Sequence, residues 1–173
     1  MNTRTLVFLA LLVGVGTVLH VVIPPTLLIK PDMMLAMLFL GIALFPDKKN
    51  VLLLGIVTGI ITALTTGVPG GQIPNMIDKP ITAFVFFGLY ILLAKKLPKL
   101  TSLIISSIAG TIVSGTLFLG SLALLFKLPE AFLAMFGLGV LPAAALNPIF
   151  LSILFPVVIA ILKRTNFTST VEM

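Results

Sequence analysis

A chain of 173 residues that is 59% hydrophobic and 9% charged, with a mean hydropathy of +1.27, has too few polar groups to cover a water-soluble surface. Its net charge of +6 would suit a nucleic-acid partner in a soluble protein, but in a bilayer protein it reports topology instead, and no nucleic-acid role is expected. Cysteine is absent and His20 is the sole histidine, which excludes disulfides, thiolate chemistry and a histidine-built metal centre; no metal or cofactor is expected.

The apolar runs read, in chain order, as an all-α polytopic membrane protein. Arg4 followed by Leu6 to Val18 has the outline of a signal peptide. No small-x-small cleavage site closes it, and the run continues to Pro24-Pro25, so residues 6–23 are a retained first helix. A second span, 33–46, starts after Lys30-Pro31-Asp32 and stops at Phe45-Pro46. The third is 51–67, and the fourth, 80–96, follows Asp78-Lys79-Pro80 and ends at Lys95-Lys96. The fifth, 100–126, is uncharged throughout. Ala131 to Leu162 then runs 32 residues without a charge, against the ~20 that one span needs. With Pro142, Pro148 and Pro156 inside it, the expected solution is a short buried or interfacial piece before Pro142 and one kinked span over 143–162.

Six spans with a cytoplasmic N-terminus put Arg4, Lys48, Lys49, Lys95, Lys96, Lys99, Lys163 and Arg164 inside. Only Lys30, Lys79 and Lys127 fall outside, each near an acid: Asp32, Asp78 and Glu130. That asymmetry obeys the positive-inside rule, whereas seven spans would move Lys163 and Arg164 outside. The reading is one membrane domain over 1–173, multi-pass in the cell membrane, with both termini cytoplasmic.

Catalysis is not expected: there is no GxxxxGK[ST], no HExxH, and no Ser/His/Asp or Cys/His set. The chemically richest segment is Pro69-Gly70-Gly71-Gln72-Ile73-Pro74-Asn75-Met76-Ile77-Asp78-Lys79-Pro80, read as an outside loop. Gln72 and Asn75 offer donors and acceptors, and Asp78 and Lys79 carry both charge signs, which a zwitterionic amino acid requires. Asp78 also reads as the cap of the fourth helix, with Pro80 in its first turn. Lys30-Pro31-Asp32 echoes that arrangement, and Asp32 reads as a cap, an ion-pair partner of Lys30 or Lys79, or a substrate contact. Phe84 and Phe87, at i and i+3 on the fourth helix, offer an aromatic wall as readily as lipid-facing packing. Asn147, before Pro148, is an amide in an apolar stretch and either satisfies the freed carbonyl or faces a cavity. His20 reads as an interfacial residue first and a proton relay second. Gly55, Gly59, Ala63 and Gly67 on the third helix, and Ser102, Ser106, Gly110 and Ser114 on the fifth, are ridges for close helix packing. Ala10 and Gly14 form a shorter small-xxx-small pair that packs within the chain or receives a partner.

The stretch Gly55 to Pro80, GIVTGIITALTTGVPGGQIPNMIDKP, resembles the TrpP family of tryptophan transport proteins of Gram-positive bacteria. Lys30-Pro31-Asp32-Met33-Met34, Phe45-Pro46 and Leu141-Pro142-Ala143-Ala144 carry the same resemblance, which covers nearly the whole chain. The family's architecture in turn resembles the substrate-binding S components of energy-coupling factor transporters. The resemblance implies a six-helix bundle that takes tryptophan or a similar small solute from outside. It implies docking through Ala10 and Gly14, with Gly where Ala is usual, on a transmembrane coupling protein that works with two ATPases. The expected substrate contacts are then Gln72, Asn75, Asp78, Lys79, Asp32, Lys30, Phe84, Phe87 and Asn147. A proton-coupled secondary transporter using Asp78, Asp32 or His20, and a non-transporting membrane scaffold, are the alternatives.

Overall fold

The structure is a computed structural model that describes residues 2–22, 32–126 and 129–164. The described residues form helices α1 (Thr3–Val22), α2 (Met33–Leu44), α3 (Lys48–Thr65), α4 (Gln72–Ala94), α5 (Lys99–Phe126), α6 (Pro129–Met135) and α7 (Leu141–Arg164). A single π-helical stretch, Phe136–Val140, joins α6 to α7.

The bundle is organised around α2. Its sequence, MMLAMLFLGIAL, is apolar on every face, and all twelve residues are buried. The Asp32 side chain caps its start by accepting from the Leu35 N–H at 2.9 Å, and Phe45-Pro46 ends it, as the residue before a proline leaves the helical region. Around α2 stand α1, α3, α4, α5 and α7, each packed on the next in that order up to α7. Phe39 of α2 stacks on Phe86 of α4 with ring centroids 4.2 Å apart, and Phe86 stacks in turn on Tyr90.

Among the described residues, five stretches are long and apolar enough to cross a membrane: α1, α3, α4, α5 and the continuous Phe132–Arg164. The chain is a multi-pass membrane protein. Twelve residues give α2 a length of only about 18 Å, against a hydrocarbon core of about 30 Å. Of the expected second span, 33–46, residues Met33–Leu44 are helical, a short helix at the centre of the bundle. Phe8 of α1 meets Phe45 edge to face, while His20 of α1 lies beside Asp32, so α1 and α2 run antiparallel. The basic residues Lys48, Lys49, Lys95, Lys96, Lys163 and Arg164 sit at the Phe45 end, which is the cytoplasmic one by the positive-inside rule. Asp32 lies at the opposite end of α2, with its side chain 25% exposed.

Two further expectations are corrected. The fourth helix begins at Gln72, not Pro80: Gln72 to Lys79 form its first two turns, and Pro80 lies within it. Gly55 of α3 makes room there, since a Cβ on it would come within 2.9 Å of the Pro80 Cα. The tail before Pro142 is likewise helical and continuous with α7. The Leu141 N–H bonds back to the Phe136 carbonyl, five residues earlier. That wider turn precedes Pro142, whose ring would crowd a carbonyl in tighter helical geometry.

Candidate functional site

At the outer end of the bundle, the first turns of α4 meet α3 and α5, and the α2 cap points between them. A Cβ built on Gly59 of α3 would lie 3.4 Å from the Asn75 carbonyl and 3.6 Å from the Lys79 Cβ, so the polar face of α4 sits against α3 at ordinary packing distance. Ser114 contributes from α5. The result is a buried ionic cluster. The Lys79 ammonium lies 2.9 Å from Asp78 Oδ2, 3.0 Å from Asp32 Oδ2 and 3.3 Å from Ser114 Oγ. Asp78 is fully enclosed: Thr82 donates to its Oδ1 and Ser114 to its Oδ2, each at 2.7 Å. Lys79 is 3% exposed.

An ammonium has three donors, and here all three find acceptors. This is the arrangement that lets charge persist away from water. The Asp32 carboxylate meets the Lys79 ammonium through Oδ2 and the Leu35 N–H through Oδ1. His20 Nδ1 lies 3.8 Å from Asp32 Oδ1.

The cluster forms one end of a cavity of about 780 Å³, within the roughly 300–1,000 Å³ usual for small-molecule sites. Asp32, Lys79, Asn75, Ser114, Thr111, Thr62 and His20 give it polar groups. Phe118, Leu119, Met135, Leu138 and Val140 form an apolar wall, built where α5 faces the π-helical turn. Gly115 permits that approach, because the Val140 methyls occupy the space a side chain there would need.

The expected residues separate on this geometry. Asp32, Asn75 and Lys79 line the cavity, with Asp78 directly behind Lys79. The Asn75 amide is bonded to the Gly71 carbonyl at 2.8 Å. Gln72 is exposed and lies off the cavity. Asp78 is a mid-helix residue, not the expected cap. Phe84 is exposed and Phe87 packs against the core, so neither forms the expected aromatic wall; Phe118 of α5 stands there instead. Asn147 is buried one turn beyond the cavity-lining Ala143 and donates to Thr111 Oγ1 at 3.1 Å, while its Oδ1 has no hydrogen-bond partner. Lys30 lies outside the described residues. Ala10 and Gly14 are exposed on α1.

Sequence reasoning treated Ser114 as a packing residue and did not single out Thr111 or Phe118. Their spacing, 111, 114 and 118, is the one available signal: it places two hydroxyls and an aromatic ring on one face of a helix that carries no charge after Lys99.

The family model for the tryptophan transporter TrpP matches residues 2–163. A Bacillus subtilis (strain 168) relative is 52% identical over 168 residues, covering 96% of this chain and 97% of its own. Relatives from Clostridium acetobutylicum and Clostridium perfringens are 41% and 36% identical, the first covering 90% of this chain and 91% of its own, the second 95% and 96%. All three are named as probable tryptophan transport proteins. No solved structure matches the chain. With its sequence matched almost from end to end and its helices built to cross a bilayer, this chain belongs to the TrpP tryptophan transporter family.

Proposed function

We propose that the chain captures tryptophan, or a closely similar aromatic amino acid, from outside the cell for uptake, and that it is the substrate-binding component of an ATP-driven importer. One observation carries this reading: a single cavity with an ammonium and a carboxylate at one end and an aromatic, apolar wall at the other. The α-carboxylate binds at Lys79, the α-ammonium at Asp32, and the indole lies along Phe118, Leu119 and Val140. Asn75 and Ser114 hold the polar end in shape, and Asn147 supports Thr111 from below. Asp78 serves Lys79 as a permanent counter-ion. The relatives' names supply tryptophan as the side chain of choice. Energy comes from other chains, since this one has no phosphate-binding loop. Ala10 and Gly14, exposed on α1 with no atom within 4 Å of the missing Gly14 Cβ, offer a close-packing face to a coupling protein.

Equilibrium binding of tryptophan to the purified chain tests the site. Saturable binding that is lost in Lys79→Ala with Asp78→Ala is expected, and a wild-type chain that binds no tryptophan overturns the reading. Copurification tests the energy source: a coupling protein and two ATPases are expected to accompany the chain. The second reading, a self-sufficient proton-coupled transporter, is favoured by one feature, the sharing of one buried ammonium between two carboxylates. Tryptophan uptake into liposomes holding this chain alone, driven by a pH gradient, would establish it.

A further inference from the structure

We propose that Asp32 makes this site select zwitterions, because it occupies the place on Lys79 that a ligand carboxylate must take. The inference rests on the tryptophan-site reading and assigns its selectivity to one residue.

The two carboxylates beside Lys79 are not equivalent. Asp78 has no exposed surface and does not line the cavity, and both its oxygens hold hydroxyl protons from Thr82 and Ser114. Nothing entering the cavity can replace it. The Asp32 side chain is 25% exposed and lines the cavity, and its Oδ2 reaches Lys79 from the open side. All three Lys79 donors are engaged, and of the two acceptors that line the cavity, Ser114 and Asp32, only Asp32 is charged, so an arriving carboxylate competes with Asp32 for the ammonium.

What the ligand carries besides its carboxylate then decides the outcome. An aromatic acid without an amine would place a third carboxylate around one ammonium and leave Asp32 with less of its counter-ion. An α-amino acid brings its own cation: its carboxylate takes the Lys79 position while its ammonium pairs with the released Asp32. One ion pair opens and two form, with the charge count of the cluster unchanged. An aromatic amine without a carboxylate can dock on the exposed oxygens of Asp32 and leave Lys79 with Asp78. Wild-type affinity should therefore fall in the order tryptophan, tryptamine, indole-3-propionate.

The test is equilibrium binding of those three compounds to the full chain in detergent, for wild type and Asp32→Asn. Asparagine retains the side-chain oxygen that caps α2, and Asp32→Ser, which caps through a hydroxyl, provides a second variant. In wild type, indole-3-propionate is expected to bind at least roughly tenfold more weakly than tryptamine. In both variants indole-3-propionate is expected to gain about tenfold while tryptophan and tryptamine lose about as much, reversing the order of amine and acid. A purely structural role for Asp32 would move all three affinities in the same direction, and that result overturns the proposal. So does an unimproved indole-3-propionate affinity in variants that retain wild-type thermal stability. If wild type binds tryptophan and the order survives in the variants, only the assignment to Asp32 fails; if wild type binds none of the three, the tryptophan reading fails with it.

Discussion

Replacing Lys79 by methionine keeps the stem that packs along Gly59 but removes the ammonium from between two carboxylates. Asp32 can recover water through its exposed quarter, whereas Asp78, fully buried, cannot. Removing one partner of a buried pair costs about 3–5 kcal/mol, because the other charge is left uncompensated. At about 2–4 °C per kcal/mol for a chain of this size, Tm should fall by about 10 °C. Adding Asp78→Asn should restore most of that loss. The amide oxygen can still accept from Thr82, and the amide N–H can donate to Ser114, so a neutral pair of groups replaces an orphaned charge. Tryptophan binding should stay absent in both variants. Thermal unfolding of the detergent-purified single and double variants, alongside tryptophan titration, separates the two effects. A Lys79→Met chain as stable as wild type, or a double variant no more stable than the single, would refute the idea that these groups form one buried unit.

Gly55→Ala and Gly59→Ala form an informative pair on α3. The first puts a Cβ 2.9 Å from backbone at Pro80 and should cost about 1–3 kcal/mol by overpacking. The second meets only ordinary contacts, and the helix propensity of alanine should leave it neutral or more stable by up to about 1 kcal/mol; chemical denaturation distinguishes them. Phe118→Leu keeps an apolar wall but removes the ring, and should weaken tryptophan binding roughly three- to tenfold in titration, with less effect on leucine.

Hydropathy makes the helices legible because each long apolar run has to bury its own backbone polar groups in lipid. It also makes α2 look like a span, since a wholly buried helix and a lipid-facing one read alike; only length distinguishes them, and the flanking Lys30 and Pro46 obscure the length. The start of α4 was hidden by its own chemistry. Asp78-Lys79-Pro80 has the composition of a loop, yet Lys79 is neutralised by Asp32, 47 residues earlier, and Pro80 is accommodated opposite Gly55. Neither partner is visible to a local reading. The same limit explains the aromatic residues: Phe84 and Phe87 share a face, but on a membrane helix an apolar face does not reveal whether it meets lipid or a cavity. The six-helix order and the grouping of basic residues at one end needed no such long-range knowledge.

The shortness of α2 also has an electrical meaning. Set with its last turn at the inner edge of a hydrocarbon layer of about 30 Å, a helix of about 18 Å would hold its cap some 12 Å below the outer edge. A ligand head group reaching Asp32 at that depth would have crossed roughly two-fifths of the transmembrane field. An elementary charge gains or loses about 2.3 kcal/mol across the whole field per 100 mV, and so about 0.9 kcal/mol over that fraction. A tryptophan zwitterion carries no net charge to that depth, and its binding would be indifferent to membrane potential. A cationic amine at the same place would be drawn in by the negative interior, so the energised state of the cell would alter which ligands the site holds.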